Sequence, residues 1–386
     1  MPAASTFAQI TMKHCCHLLF VFLCSIKVQA QLPAFSEWQN LTTSGHLPEQ
    51  VKIQHSNNNL DLAKLHDKYY LAFRTAPTHF ASKKSVLYIV SSTDMQHWNF
   101  EVEIKYGCDL REPRFIVYHD TLRLLFFTGG SNLFKFEPRE ILLTQTTGNS
   151  SWTTPVSVNL NGFVPWRLRS LNDTLYLSAY YGKNLYGKTH QSNLRLFHST
   201  NAFDWKPISE KPQIDIARAE EGEFIFDKDG NLFATVRLEG TGSLVCKADR
   251  SDLVNWQTTR SKYKYDSALL FEYKNEIYLI SRRNLDGEVD KVKNRKRENQ
   301  GRANNLIRYS ITQKVTALFK LNKENLTLSH LVDFPSTGDC SYPAIAPISE
   351  TYFLLMNYSS NIKGRKKNWL NGQFGKTYIY QSMLKF

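Results

Sequence analysis

A hairpin of fixed form recurs six times along the chain, and this repetition limits the fold more than any other feature. Each copy is an apolar arm, a polar turn and a second apolar arm. The copies run Leu60 to Arg74, Pro113 to Phe127, Trp166 to Tyr181, Glu223 to Arg237, Ser267 to Arg283 and Tyr342 to Tyr358. Their turns centre near Asp67, Asp120, Asp173, Gly230, Asn275 and Glu350, at intervals of 53, 53, 57, 45 and 75 residues. Helical periodicity is nearly absent, and aromatic and β-branched runs between turn residues mark an all-β chain. Intervals of this size suit one four-stranded propeller blade each.

A second repeat runs out of phase with the first. Turns rich in Ser, Asp and Asn end at Trp98, Trp152, Trp205 and Trp256, spaced 54, 53 and 51 residues apart. One such turn per blade, after the third strand, completes the strand count. The expectation is an all-β, six-bladed β-propeller of four-stranded antiparallel blades over residues 31–386. The C-terminal "KTYIYQSMLKF" and the N-terminal "FSEWQNL" would complete a blade together, closing the ring and removing its free edge. The long last interval is assigned to a basic insertion loop in blade five, 283–311, which holds "DKVKNRKRENQGR" and reads as solvated.

Residues 1–30 have a basic start, the apolar run "HLLFVFLCSI" and the small-x-small ending "VQA". This is the pattern of a secretory signal, and the run is too short to span a bilayer comfortably. The reading is a secreted or lumenal protein with no membrane span, expected to be a monomer. Asn40, Asn149, Asn172, Asn325 and Asn357 head Asn-x-Ser/Thr sequons and are candidate glycan sites. Beyond the signal only Cys108, Cys246 and Cys340 remain, an odd number that leaves at least one without an intramolecular partner. Neither the cysteines nor the histidines show ligand spacing, so no metal and no cofactor is expected. The net charge of +13 invites a nucleic-acid reading, which secretion argues against. An acidic ligand is compatible with both.

In a propeller, the start of each inner strand and the end of its partner meet at one rim of the central channel. That rim collects Asp61, Arg74, Asp109, Arg111, Glu112, Trp166, Glu221, Arg237, Arg282, Arg283 and Tyr342. Clustered arginines bind carboxylates bidentately, and crowded carboxylates titrate apart, as acid/base pairs require. An acidic glycan is the expected ligand, with Trp166 able to stack on a sugar face. Structural readings stand beside this. Glu221 and Arg237 can form a rim salt bridge worth about 0–1 kcal/mol. Tyr342 can fill a core, and Arg111 and Arg114 can tie blades together.

Together these features resemble the sialidase superfamily of six-bladed propellers. Its Ser-x-Asp-x-Gly-x-x-Trp boxes match the four Trp turns, which here are one residue shorter and lack the central Gly. Its fourth-blade hairpin, opening on Glu and closing on Arg around Asp-Gly, is similar to the stretch from Glu221 to Arg237. Its last-blade Tyr, beside Ser, matches Ser341–Tyr342. Its Arg-Ile-Pro resembles Arg111-Glu112-Pro113, placed here in blade two rather than blade one. The resemblance implies a glycoside hydrolase for an acidic sugar. Tyr342 would be the nucleophile and Glu221 its base. Arg237, Arg111 and either Arg282 or Arg283 would grip the substrate carboxylate, with Arg74, Asp61 and Glu112 nearby. Asp109 is the first choice for general acid and Asp61 the second. Two other readings remain open: a non-catalytic propeller that binds glycan or protein, and a glycosidase using two carboxylates, Asp109 with Glu221 or Glu223.

Overall fold

Both faces of every hairpin are apolar, so each sheet must be covered on two sides. In the computed structural model, which describes residues 32–43, 45–133, 135–147, 151–183, 191–289 and 298–386, that demand is met by a ring of six four-stranded antiparallel blades. The innermost strands are Ser56–Leu65, Asp109–Tyr118, Phe163–Leu171, Ala219–Phe226, Asp266–Tyr273 and Cys340–Pro347, in blades one to six. Each pairs with the second arm of its own hairpin. Alternate residues of one strand serve different cores. Phe224 packs in the cluster holding Trp166, whereas Ile225 packs with Ala268 and Leu270 of the next blade.

The sixth blade closes the ring. Its third strand, Tyr378–Lys385, pairs with Ala34–Phe35 and with Gln39–Asn40 from the other end of the described chain. The Trp turns sit after the third strands as the spacing implies. Trp205 and Trp256 donate Nε1–H to the carbonyls of Ala202 and Leu253, at 2.8 and 2.9 Å.

Two features depart from expectation. The insertion in blade five carries a helix, α1 (Glu298–Ile311), rather than loop alone; residues 290–297, with most of its basic run, lie outside the described residues. Among its described side chains, Asn305 and Tyr309, one turn apart, are the buried ones. Asn305 donates to the Gly240 carbonyl at 3.0 Å, and Gly240 sits at φ +80° with Arg302 close against it. A Cβ there would be strained by the backbone and crowded by the helix. The second departure is Asn357, which is 0 % exposed and accepts a hydrogen bond from Thr316. A glycan has no room on that strand. Asn172 and Asn325 are exposed turn residues, and Asn149 lies outside the described residues. Cys108, Cys246 and Cys340 are all free. Among the described residues no helix is long and apolar enough to cross a membrane.

Candidate active site at the channel mouth

Every innermost strand carries one extra residue against its partner, at the same end of the hairpin. The register jumps between Asn58 and Asp61, Arg111 and Arg114, Pro165 and Arg167, Glu220 and Glu223, Asp266 and Leu269, and Ser341 and Ala344. In five blades the residue entering the bulge is left-handed: Asn59, Glu112, Glu221, Ser267 and Tyr342 have φ between +47° and +51°. Trp166 occupies the equivalent place in blade three. A left-handed non-glycine residue is costly, and such bulges re-aim side chains beside functional sites. Here the repeated bulge delivers one side chain per blade to the channel axis.

A cavity of about 390 Å³ opens there, lined by all five left-handed residues and by Arg111, Arg237 and Arg282. Loops supply the remaining wall: His79 and Phe80 from blade one, Phe136 from blade two, and Trp369 and Gln373 from a short helix α2 (Trp369–Gln373) in blade six. The volume suits a small ligand.

Tyr342 donates its hydroxyl to Glu112 Oε1 at 2.8 Å. Asn59 donates to the same oxygen at 3.0 Å, and Arg114 holds Oε2 at 2.8 Å. The Tyr342 ring lies 5.6 Å from that of Trp166, whose own face is covered by the Arg114 guanidinium at 4.9 Å. Burial, then the charges of Glu112 and Glu221, push the Tyr342 pKa well up, so it stands as a neutral phenol. Burial also raises Glu112, against the pull of Arg114 and of the phenol. A carboxylate made more basic this way is better matched to accepting the phenol's proton.

Glu221 belongs to a second cluster. Arg237 donates to it at 2.5 Å and the Ser267 backbone N–H at 2.7 Å. Arg237 also contacts Glu220 and reaches Glu239 at 3.2 Å, so one guanidinium serves three carboxyls. Burial and the Asp266 charge push Glu221 up to about 7. Asp266 moves the other way. Burial opposes its ionisation, but Lys264, Arg237 and Arg282 outweigh it and hold Asp266 at about 2, with Tyr309 of α1 donating at 2.5 Å. Between its unfolded value near 4.5 and about 7, Glu221 binds its proton more tightly in the folded chain. Its stabilising contribution is therefore complete below pH 4.5 and is lost as pH rises through 7. That loss is at most about 3 kcal/mol. In urea unfolding at pH 5 and pH 7, Glu221→Gln is expected to show a smaller drop in stability across this window than the unsubstituted protein. An unchanged drop would refute the shift.

The other rim residues are placed as follows. Asp109 is buried between Arg74 (2.7 Å) and Arg111 (2.5 Å). These two arginines outweigh its burial and keep its pKa below the usual range, so it has no proton to give. Arg74 is fully buried, and Asp61 accepts the Phe115 N–H at 2.6 Å and pairs with Arg167; neither lines the cavity. Trp166 is 0 % exposed and offers no face to a sugar. Arg283 pairs with Asp333 and lines a separate outer pocket with Tyr263 and His330, leaving Arg282 as the blade-five arginine at the cavity. Arg111 spends Nε on Asp109 and Nη2 on the His79 carbonyl at 2.7 Å. Its Nη1 has no partner among the described residues. Glu112, expected only to contact substrate, is the carboxylate that touches Tyr342; Glu221, expected as the base, is not among the partners of that hydroxyl.

Sequence reasoning missed Asn59, Ser267, His79 and Tyr309 as contributors. The first two had a findable signal. Counting back eight residues from the turn centres at Asp67, Asp120, Asn275 and Glu350 gives Asn59, Glu112, Ser267 and Tyr342. Counting forward seven gives Arg74, Arg237 and Arg282 from their own turns.

No protein-family model and no curated protein matches the sequence. Solved structures do match the fold. A Dyadobacter fermentans protein described as of unknown function superposes with a TM-score of 0.59 at 14% identity, covering 86% of this chain and 97% of its own. Trypanosoma rangeli sialidase superposes with a TM-score of 0.62 at 12% identity, over 92% of this chain and 59% of the enzyme. The fold is that of the sialidases. The same T. rangeli enzyme, solved with 2,3-difluorosialic acid as a covalent intermediate, gives a TM-score of 0.60 at 12% identity, with coverage of 92% and 59%. The sialidase-like propeller thus spans 59% of that enzyme's length.

Proposed function

We propose that this protein is a secreted glycoside hydrolase that cleaves an acidic sugar by way of a covalent intermediate on Tyr342. The observation that carries this is the 2.8 Å hydrogen bond from the Tyr342 hydroxyl to Glu112, two residues that line the cavity. Glycosidases ordinarily attack with a carboxylate, and sialidases are the exception that uses a tyrosine. A neutral phenol avoids repulsion by an anionic substrate. Five cationic side chains line the cavity (Arg111, Lys135, Arg237, Lys264, Arg282) against four carboxyls (Glu112, Glu221, Glu239, Asp266). Two of those carboxyls, Glu112 and Glu221, are shifted towards their neutral form. The balance favours an anion, and Arg111 has the spare donors to take its carboxylate.

In this reading Glu112 accepts the phenol proton as the Tyr342 oxygen attacks the anomeric carbon. Arg237 and Arg282, held by carboxylates, supply fixed positive charge behind the substrate. Asn59 and Arg114 keep Glu112 aimed at Tyr342 throughout.

The test is covalent capture. Incubation with a fluorinated acidic glycosyl fluoride, such as 2,3-difluorosialic acid, followed by digestion and mass spectrometry, should find the glycosyl group on the peptide containing Tyr342. Turnover of an acidic glycoside with label on another residue would sink the mechanism. A second reading, hydrolysis by two carboxylates, is favoured by the opposite shifts of Glu221 and Asp266. It predicts label on Asp266 or none at all.

A further inference from the structure

Tyr342 and Glu112 account for attack on the anomeric carbon but leave open which group protonates the departing oxygen. The cavity's carboxyls are committed elsewhere. Asp109 is pinned as an anion by two arginines and lies outside the cavity wall. Both oxygens of Glu221 are engaged, by Arg237 and the Ser267 N–H, so neither is left to face a leaving group. Glu112 is occupied by Tyr342, Asn59 and Arg114. Asp266 is enclosed by Lys264, Arg282 and Tyr309, and Glu239 pairs with Lys264 and Arg237.

His79 is different. It lines the same cavity, in the blade-one loop, and its side chain is only partly buried. Its Nδ1 lies 2.6 Å from Asp339 Oδ2, and Asp339 is 0 % exposed. Tyr358 donates to the other oxygen of Asp339 at 3.0 Å. A buried carboxylate on Nδ1 fixes the imidazole's orientation and places Nδ1–H towards Asp339. Nε2 is then the ring nitrogen left for the substrate, a donor in the imidazolium and an acceptor in the neutral ring, and it has no partner among the described residues. The loop is also anchored at the site, because Arg111 donates to the His79 carbonyl.

We infer that His79 is the general acid, and then the general base, of the reaction proposed for Tyr342, with Asp339 as its positioning residue. The inference rests on that hydrolase reading. In the first step the Tyr342 oxygen bonds to the anomeric carbon as its proton passes to Glu112. The bond from that carbon to the leaving oxygen breaks, and His79 Nε2–H protonates that oxygen, which departs as an alcohol. In the second step neutral His79 takes a proton from water as the water oxygen bonds to the anomeric carbon. The Tyr342–carbon bond breaks and the phenol recovers its proton from Glu112. The net change is one glycoside and one water to one sugar and one alcohol.

The test uses the leaving group. A 4-methylumbelliferyl leaving group needs little protonation; an alkyl or sugar leaving group needs it fully. Paired 4-methylumbelliferyl and methyl glycosides of acidic sugars, sialic and hexuronic, are the probes. In kcat/KM, which reports the glycosylation step alone, His79→Gln is expected to slow the methyl glycoside by on the order of 10²–10⁴-fold and the 4-methylumbelliferyl glycoside by less than about 10-fold, with the split read in kcat/KM throughout. Asp339→Asn should show the same split, smaller in size, which a merely structural role would not produce. Thermal unfolding shows that each variant is folded, and His79→Asn replaces any His79→Gln that is not. Equal losses on both glycosides, or no loss, overturn the assignment of His79 and leave Tyr342 standing. Undiminished turnover by Tyr342→Phe overturns the nucleophile instead. If no acidic glycoside is hydrolysed at all, the hydrolase reading falls and this inference with it.

Discussion

Tyr342→Phe is expected to lose turnover of acidic glycosides by on the order of 10⁴-fold or more, the scale seen when a covalent nucleophile is removed. The same substitution should barely disturb the fold. The ring makes the packing contacts, 5.6 Å from Trp166 and 6.1 Å from Tyr358, with the Arg114 guanidinium 5.8 Å above it. Phenylalanine keeps all three. Only the hydroxyl's bond to Glu112 goes, and Glu112 retains Asn59 and Arg114. The cost in stability should be about 1 kcal/mol. Affinity for the acidic sugar product, measured by calorimetry, should change little, because the cationic wall is untouched. A variant with full turnover would remove the covalent mechanism; one with lost binding would show that the hydroxyl serves recognition instead.

The ring and its hairpins were legible because packing between blades requires apolar residues on both faces, and that pattern survives in one sequence. The site was partly legible for a related reason. The bulge that aims Glu112, Glu221 and Tyr342 lies at a nearly fixed distance from each turn, so position along the hairpin approximates position at the axis. What the count cannot supply is pairing across the ring. Glu112 and Glu221 occupy equivalent bulges, and only the arrangement of blades decides that Glu112 meets Tyr342 while Glu221 meets Arg237. Asp109 looked available because one of its two arginine partners, Arg74, comes from blade one and meets it only when the blades are adjacent. His79 and Asp339 stand 260 residues apart, with no motif to join them. Helix α1 was hidden by composition. Its buried face is chiefly an Asn and a Tyr, which do not register as an apolar stripe. Asn59 and Ser267 carry no charge, and a search for catalytic residue types passes over them.

Glu223→Gln is expected to do the reverse of Tyr342→Phe, costing about 3–5 kcal/mol of stability while changing the activity of each folded molecule little. The innermost strand of every blade is a sheet edge facing the channel, and its N–H groups need acceptors in a place too narrow for another strand. Carboxylates from the preceding blade meet that need. Asp61 of blade one accepts the Phe115 N–H of blade two at 2.6 Å, and Glu223 of blade four accepts the Leu270 N–H of blade five at 3.1 Å. Glu223 is fully buried and also binds Arg167 at 2.6 Å and Arg169 at 3.1 Å, both from blade three. Arg167 reaches on to Asp61 at 3.3 Å, so one guanidinium spans the axis from blade one to blade four. Neutralising Glu223 leaves the buried Arg167 and the half-buried Arg169 short of charge and puts an amide NH₂ where only acceptors fit. Glu223 does not line the cavity, so the loss should register in urea unfolding and not in kcat/KM at low temperature. A cycle with Arg167→Met should recover part of the loss, because it removes the buried guanidinium that Glu223 balanced, while Arg169 without Glu223 and Asp61 without Arg167 keep the recovery incomplete. If Glu223→Gln unfolds at the same urea concentration as the unsubstituted protein, the axial carboxylates are not what holds the blades together.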